Sequence, residues 1–448
     1  MTKELLKKIP NKNFLLNSLL LSCSNRALLS YCIDEELNNL RKKILNGNTK
    51  AVDSHKLIQT IHSRYKQIYR GTIIPVINAT GVVLHTNLGR APISEEIFEN
   101  IKKIVTSYSN LEYDIKKGER GDRYHHVAEY LKILTGAEDA LIVNNNASAV
   151  FLILNTFGKS KNVLVSRGEL VEIGGNFRIP EVMVNSGAKL KEIGTTNKTK
   201  LRDYEENIDD KTAILMKVHK SNYNIVGFAE DVNYKDIAKL AKDKNIISYY
   251  DLGSGFLSDI FKTLCNEPTL KEVVESGIDL VSASGDKLIG SVQCGIILGK
   301  KILIDKLKKN QLLRMLRVDK VTLAFLQETF KSYIEADENK IKSLNLFNTN
   351  SYELTKKAEK LKSLIGKIDS EIVNTKTYIG GGSCPLQEVD SIGLIIHTYK
   401  AKSMEKRLRE FETPVICRKG EDHLLFDMMA ILEDEIETLA EAINWAKM

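Results

Sequence analysis

Apolar positions change their period along this chain. Over residues 1–70, Leu15, Leu16, Leu19 and Leu20, then Leu37, Leu40 and Ile44, recur at helical spacing and predict short amphipathic helices. Beyond Pro75 short apolar runs rich in β-branched residues appear at 139–143, 162–165, 189–193, 213–218, 246–250, 278–282 and 295–298. Amphipathic stretches such as 232–244 and 269–276 lie between them. Strands that are apolar throughout and alternate with helices predict an α/β fold whose mostly parallel sheet is covered on both faces. Right-handed crossovers then gather the strands' carboxyl ends on one rim, where the loops carry chemistry. Helix dominates 320–355, and strands are expected at 371–375, 393–397, 414–417 and 424–426, with helices between and after them. The expected organisation is a helical head (1–70), a large α/β domain (71–325) and a small C-terminal α+β domain (326–448).

Composition changes this picture mainly through charge. With 43% hydrophobic and 27% charged residues, the 448-residue chain has a globular balance and is too long for one small domain. Of the net +7, residues 1–71 hold +8, from thirteen Lys/Arg against five acids, so the remainder sums to −1. Such asymmetry is the footprint of a polyanion partner, and a solvated basic helix pair is the alternative. The six cysteines are scattered with no C-x-x-C pair, so neither a metal site nor a disulfide framework is expected, and a cytoplasmic location fits. Residues 14–23 imitate a signal segment, but Asn17 and Ser18 interrupt a run already too short to cross a bilayer; no membrane is expected.

Neither a G-x-x-x-x-G-K-[ST] loop nor an early G-x-G-x-x-G is present, which disfavours nucleotide hydrolysis and nicotinamide chemistry. Three rim features remain. Lys287 follows an apolar strand and small residues that include Ser284, a placement that desolvates an amine and frees it as a nucleophile, unless it is simply a solvated rim lysine. Asp251 ends the preceding strand, where it could serve the protonated ring nitrogen of pyridoxal phosphate or cap the next helix. Asn144, Asn145, Asn146, Ala147 and Ser148 form a polar turn that opens a helix, an anion seat suited to a phosphate.

Longer blocks carry a resemblance. Ile77-Asn-Ala-Thr-Gly-Val-Val-Leu-His-Thr-Asn-Leu-Gly-Arg-Ala-Pro92, Tyr108-Ser-Asn-Leu-Glu-Tyr-Asp114, Leu134-Thr-Gly-Ala-Glu138, Val143-Asn-Asn-Asn146, Ser166-Arg-Gly-Glu-Leu-Val-Glu-Ile-Gly-Gly175, Ser221-Asn-Tyr223, Asp251-Leu-Gly-Ser-Gly255, Gly285-Asp-Lys287 and Leu316-Arg-Val-Asp-Lys320 resemble the bacterial selenocysteine synthase family, the L-seryl-tRNA(Sec) selenium transferases. The match weakens through Gly380-Gly-Gly-Ser383. The resemblance implies a fold-type-I pyridoxal phosphate enzyme with Lys287 as the internal aldimine and a tRNA-binding head. It also implies a homo-oligomer, a ring of dimers reaching a decamer, with the cofactor site shared within each dimer. Arg90, Arg314 and Arg317 match the arginines that hold the anionic selenium donor, selenophosphate, a task guanidinium forks suit; surface salt bridges are their alternative. Three places depart from the family pattern: Gly290-Ser-Val-Gln-Cys-Gly295 replaces Gly-Gly-Pro-Gln-Ala-Gly, Lys220 replaces a threonine, and Phe426-Asp-Met-Met replaces Leu-Asp-Leu-Arg. Cys294 reads as a small filler in an alanine's place rather than a selenium carrier.

The reading that results is conversion of L-seryl-tRNA(Sec) to L-selenocysteinyl-tRNA(Sec) through a cofactor-bound dehydroalanyl intermediate. Lys287 is the base, Asp251 serves the ring nitrogen, and the Asn144–Ser148 turn and Ser284 seat the cofactor. The alternatives are a related pyridoxal phosphate lyase acting on a small amino or hydroxy acid without tRNA, and a tRNA-binding protein with a decayed cofactor site. Arg120, Arg123, His125 and His126 lie either near the site or in a loop that merely leads into a helix.

Overall fold

The computed structural model describes all residues except 1, 20–21, 50, 174–176, 221–222, 224, 226, 258, 260–266 and 448. Gly174, Gly175, Ser221, Asn222 and Cys265 therefore lie outside the described residues. The chain divides into two compact units, Met1–Val76 and Ile77–Met448.

In the first unit, helices Thr2–Lys7, Lys12–Leu19, Arg26–Leu45 and Ser54–Arg70 enclose a small core of Leu15, Leu29, Ile33, Leu37, Ile61 and Tyr65. The two long helices start where side chains satisfy their free N–H groups: Asn25 accepts from Leu28 N and Asp53 from Lys56 N, both at 3.0 Å. Arg64 pairs with Glu35 and Glu36, and Lys12 with Asp34, whereas Arg41, Lys42 and Lys43 at the end of Arg26–Leu45 stand exposed.

The second unit holds a seven-stranded sheet in the order Asp139–Val143, Gly295–Gly299, Leu280–Ser284, Ile247–Gly253, Thr212–Val218, Asn162–Ser166, Lys189–Ile193. All seven coincide with the apolar runs read from the sequence, to within three residues at each end. Gly295–Gly299 runs antiparallel to both neighbours and the rest are parallel. The connection before it, residues 285–294, is shorter than the dozen or more residues a parallel crossover needs, so the chain turns straight back. That turn carries Lys287.

A five-stranded sheet lies in the order Ile77–Ala79, Val415–Lys419, His423–Asp427, Ser383–His397, Ser370–Gly380. Its first strand, unforeseen in the sequence, pairs in parallel with Val415–Lys419. One apolar cluster runs between the two sheets through Ile77, Leu84, Phe256, Leu288, Phe330, Phe426 and Leu439. At Gly81 (φ 83°) a Cβ would stand 2.4 Å from Cγ of Asp427, whose buried carboxylate accepts from Ser391 Oγ at 2.6 Å and Met429 N at 3.0 Å. Glycine is therefore required there, and the chain leaving this point is pinned again where Leu84 N donates to Ile379 O at 3.0 Å.

Among the described residues no helix is long and apolar enough to cross a membrane. Cys23, Cys32, Cys294 and Cys417 are free thiols, but Cys384 is disulfide-bonded, which the scattered cysteine spacing did not suggest.

Candidate functional site

Asp251 and Lys287 end up where the strand pattern puts them, at the carboxyl ends of neighbouring parallel strands. Asp251 lies opposite Val218 on one side and Ser282 on the other. Only 2% of Asp251 and 5% of Lys287 is exposed, which excludes the solvated-rim reading of the lysine. Burial pulls the Lys287 amine below its ordinary pKa, and the Arg90 guanidinium adds to the fall. Burial likewise raises Asp251, against hydrogen bonds from Asn146 Nδ2 at 2.8 Å, Ser282 Oγ at 3.2 Å and Gly253 N at 3.2 Å. The hydrogen bonds recorded for this carboxylate all come from neutral donors, although Lys287 is close enough to act on it electrostatically.

Beside this pair, Asn145 caps helix Asn146–Ile153, its Oδ1 accepting from Ser148 N at 2.8 Å. The remaining first-turn N–H groups, those of Asn146 and Ala147, have no acceptor inside the helix by construction and face the direction an anion would take. Asn144 is exposed, its N–H donating to Leu316 O at 2.9 Å. Ser284, 6% exposed, pairs with Gly295 across the ladder. Gly295 must lack a side chain, since a Cβ there would stand 2.2 Å from Asn145 O. Gly295→Ala is expected to push the Asn145 turn outward and weaken cofactor binding about ten- to a hundredfold, the effect of 1–3 kcal/mol of overpacking; fluorescence titration of the apoprotein with pyridoxal phosphate measures it.

The three arginines have different surroundings. Arg90 follows Gly89 in a left-handed turn (φ 62°), a conformation that costs a non-glycine residue about 1–3 kcal/mol. The turn is held from two sides: Arg90 N donates to His85 O at 3.1 Å, Ala91 N to Asp286 O at 3.3 Å, and Arg90 Nη1 to Asp286 Oδ2 at 2.7 Å. Asp286 thus ties the arginine to the residue that precedes Lys287. Arg317 bridges to Val143 through its backbone and lies 3.6 Å from Glu112, a carboxylate that also binds Arg120 and Arg123. Arg123 therefore shares a network with Arg317, while the rings of His125 and His126 lie 4.2 Å apart at a tilt of 37°. Arg314 sits in the short helix Leu313–Leu316, exposed and without an ion pair among the described residues.

Sequence reasoning missed Ser282, Asp286, His219 and Glu267. Asp286 stood beside Lys287 in the quoted motif; the others carried no local signal. Cys294 is fully buried against Gly285, and burial drives its thiol pKa upward, so it stays protonated and suits the role of filler. Lys220 pairs with Asp231 at 2.6 Å, and Ser291 in the departing loop bonds Thr329 at 2.8 Å, so these two departures are accommodated by their own partners.

The family model described as SelA, L-seryl-tRNA selenium transferase, matches residues 76–432. The L-seryl-tRNA(Sec) selenium transferase of Nautilia profundicola is 50% identical, with 94% of this chain and 93% of that protein covered. The protein of the same name from Aliarcobacter butzleri is 48% identical, with 98% of each covered. Among solved structures, a D-glucosaminate-6-phosphate ammonia-lyase shares the fold, with a TM-score of 0.62 and 19% identity over 85% of this chain and 98% of that one.

Proposed function

Because the chain belongs to the L-seryl-tRNA selenium transferase family, we propose that it converts L-seryl-tRNA(Sec) to L-selenocysteinyl-tRNA(Sec) with pyridoxal phosphate as cofactor and selenophosphate as selenium donor. The observation that carries this reading is the buried amine and buried carboxylate at adjacent strand ends, beside a capped helix N-terminus. A carboxylate shut away from water with neutral donors lacks the hydrogen-bonded cation that would offset its burial, and a ring N–H⁺ supplies one. Asn146 Oδ1 is buried without a partner, a further polar atom awaiting a ligand. The cofactor fits these residues.

When bound, the cofactor withdraws the electron pair left at the seryl Cα as its proton departs, which loosens the β-hydroxyl. Lys287 anchors the cofactor and, once its amine is free, takes the Cα proton; its lowered pKa makes the uncharged amine easier to reach than in a solvated lysine. Asp251 keeps the ring nitrogen protonated. The Asn144–Ser148 turn with Ser284 seats the phosphate. Arg90, Arg314 and Arg317 hold the tetrahedral oxyanion of the donor, with Asp286 and Glu112 fixing two of the three guanidinium groups.

The division into a head (1–70), a cofactor domain (71–325) and a C-terminal domain (326–448) assigns tRNA to the +8 head. The protein works in the cytoplasm as a ring of dimers, a decamer, with cofactor sites shared within each dimer. Support for association comes from a cavity of about 770 Å³ rimmed by the exposed Tyr108, Tyr113 and Ile115, apolar surface that a second copy would cover.

Titration of the full-length protein with labelled seryl-tRNA(Sec) tests the reading. The dissociation constant should rise about a hundredfold between 100 and 300 mM salt if some five phosphates are contacted. Binding that is absent, or indifferent to salt, overturns it.

A further inference from the structure

His219 directly follows strand Thr212–Val218 and belongs to none of the roles assigned above. Its backbone N–H donates to the Asp251 carbonyl oxygen at 2.9 Å, which holds the two residues' backbones together, and the Asp251 carboxylate acts electrostatically on the ring. Nε2 lies 3.7 Å from Glu267 Oε1, and Nδ1 is buried without a hydrogen-bond partner. Glu267 is itself fixed, accepting from Ser254 Oγ at 2.9 Å and from Cys384 N at 3.1 Å, and it acts electrostatically on both His219 and Lys287. An imidazole held on one edge by an anchored carboxylate, with its other nitrogen unsatisfied, is poised for a ligand.

Strand order identifies which part of the ligand. The Asn145 turn, at the end of Asp139–Val143, lies on one flank of the Asp251–Lys287 pair, and His219 lies on the other. In pyridoxal phosphate the phosphate arm on C5 and the phenolic oxygen on C3 stand on opposite sides of the line from N1 to C4. With N1 at Asp251, C4 toward Lys287 and the phosphate at the Asn145 turn, the phenolic oxygen falls on the His219 side. We propose that His219 is the hydrogen-bond partner of the cofactor's phenolic oxygen, through the ring nitrogen that Glu267 does not hold. This rests on the reading that pyridoxal phosphate is bound at Lys287. Glu267 is then a positioning residue that fixes the imidazole.

The charged groups facing His219 are Glu267, Lys217, Asp251 and Glu169; burial outweighs them and holds the imidazole neutral near pH 7, so its one N–H sits on Nε2 facing the Glu267 carboxylate and Nδ1 is left to accept. A hydrogen bond donated by the phenolic O–H to Nδ1 favours the protonated form of that oxygen. That charge state governs the visible absorption of the bound cofactor and the pH at which the band changes.

The test is a spectrophotometric pH titration of the reconstituted full-length enzyme without substrate. His219→Phe, which fills the ring's volume without a nitrogen, should move the midpoint of the visible band by one pH unit or more and raise the cofactor's dissociation constant at least tenfold. His219→Asn, which keeps an acceptor in its amide oxygen, should recover at least half of the shift, and Glu267→Ala should move it in the same direction by less. A folded His219→Phe protein with the wild-type midpoint overturns the inference. If that variant does not fold, an unshifted midpoint in Glu267→Ala overturns it instead. A wild-type protein that takes up no pyridoxal phosphate overturns the underlying reading as well, whereas a coloured wild type with unmoved variants overturns this inference alone.

Discussion

Lys287→Met should turn the yellow reconstituted enzyme colourless and lower selenocysteinyl-tRNA formation by about ten-thousandfold or more, since it removes both the proposed covalent anchor and the proposed general base. Methionine keeps the volume of a side chain that is 5% exposed, so the fold should survive. The thermal midpoint separates this loss from misfolding. Burial depresses the Lys287 pKa, so the folded state is penalised at every pH below that lowered value, and the penalty disappears only as pH rises past the ordinary lysine value. The ligand-free Lys287→Met protein should accordingly be at least as stable as the wild type at neutral pH, with the advantage fading above about pH 10. Borohydride reduction of the wild type followed by peptide mapping should fix a pyridoxyl group to the Lys287 peptide; attachment to another lysine would contradict the assignment.

Asp251→Asn has the second-largest expected effect. It preserves shape and removes only the charge that would pair with the ring nitrogen, and activity should fall at least about a hundredfold, as when one preorganised electrostatic partner is lost. Stability should move the other way. Burial raises the Asp251 pKa, so the wild-type fold is stabilised below the ordinary carboxylate value and loses that contribution as pH rises through the raised one. In the absence of cofactor the variant should melt above the wild type at pH 8, and the gap should close toward pH 4. Differential scanning calorimetry of both apoproteins across that range checks the sign. A variant less stable at pH 8 would show that Asp251 is already paired by a cation in the ligand-free protein.

Six of the seven strands of the large sheet were readable because they are largely apolar on both faces, a pattern with few other uses in a chain of this composition; the edge strand Lys189–Ile193, which carries Lys189, Lys191 and Glu192, is the exception. The same rule exposed Asp251 and Lys287, polar residues where apolar runs stop. What stayed hidden was set by distance along the chain. Ile77–Ala79 is three residues long and is a strand only because Val415–Lys419 lies beside it. Ser383–His397 reaches well before the apolar 393–397 segment because its polar half is paired rung by rung with Ser370–Gly380, and ladder hydrogen bonds leave no hydrophobic trace. Gly295–Gly299 was located correctly, but its direction depends on the length of a loop and not on its residues. In the site, the grip of Asp286 on Arg90 joins positions nearly two hundred residues apart. The His219–Glu267 contact depends likewise on tertiary placement. Residue type nominated candidates, and only the fold shows which of them meet.

The pairing of Ile77–Ala79 with Val415–Lys419 also bears on the order of events during synthesis. The strand that leads into the Arg90 turn emerges from the ribosome more than three hundred residues ahead of the strand that receives it. Until then its unpaired edge has no native neighbour, and loop closure over that separation is slow. A nascent chain would complete the large sheet first and acquire its Arg90 turn last, so incomplete translation products would carry Lys287 without the arginine beside it.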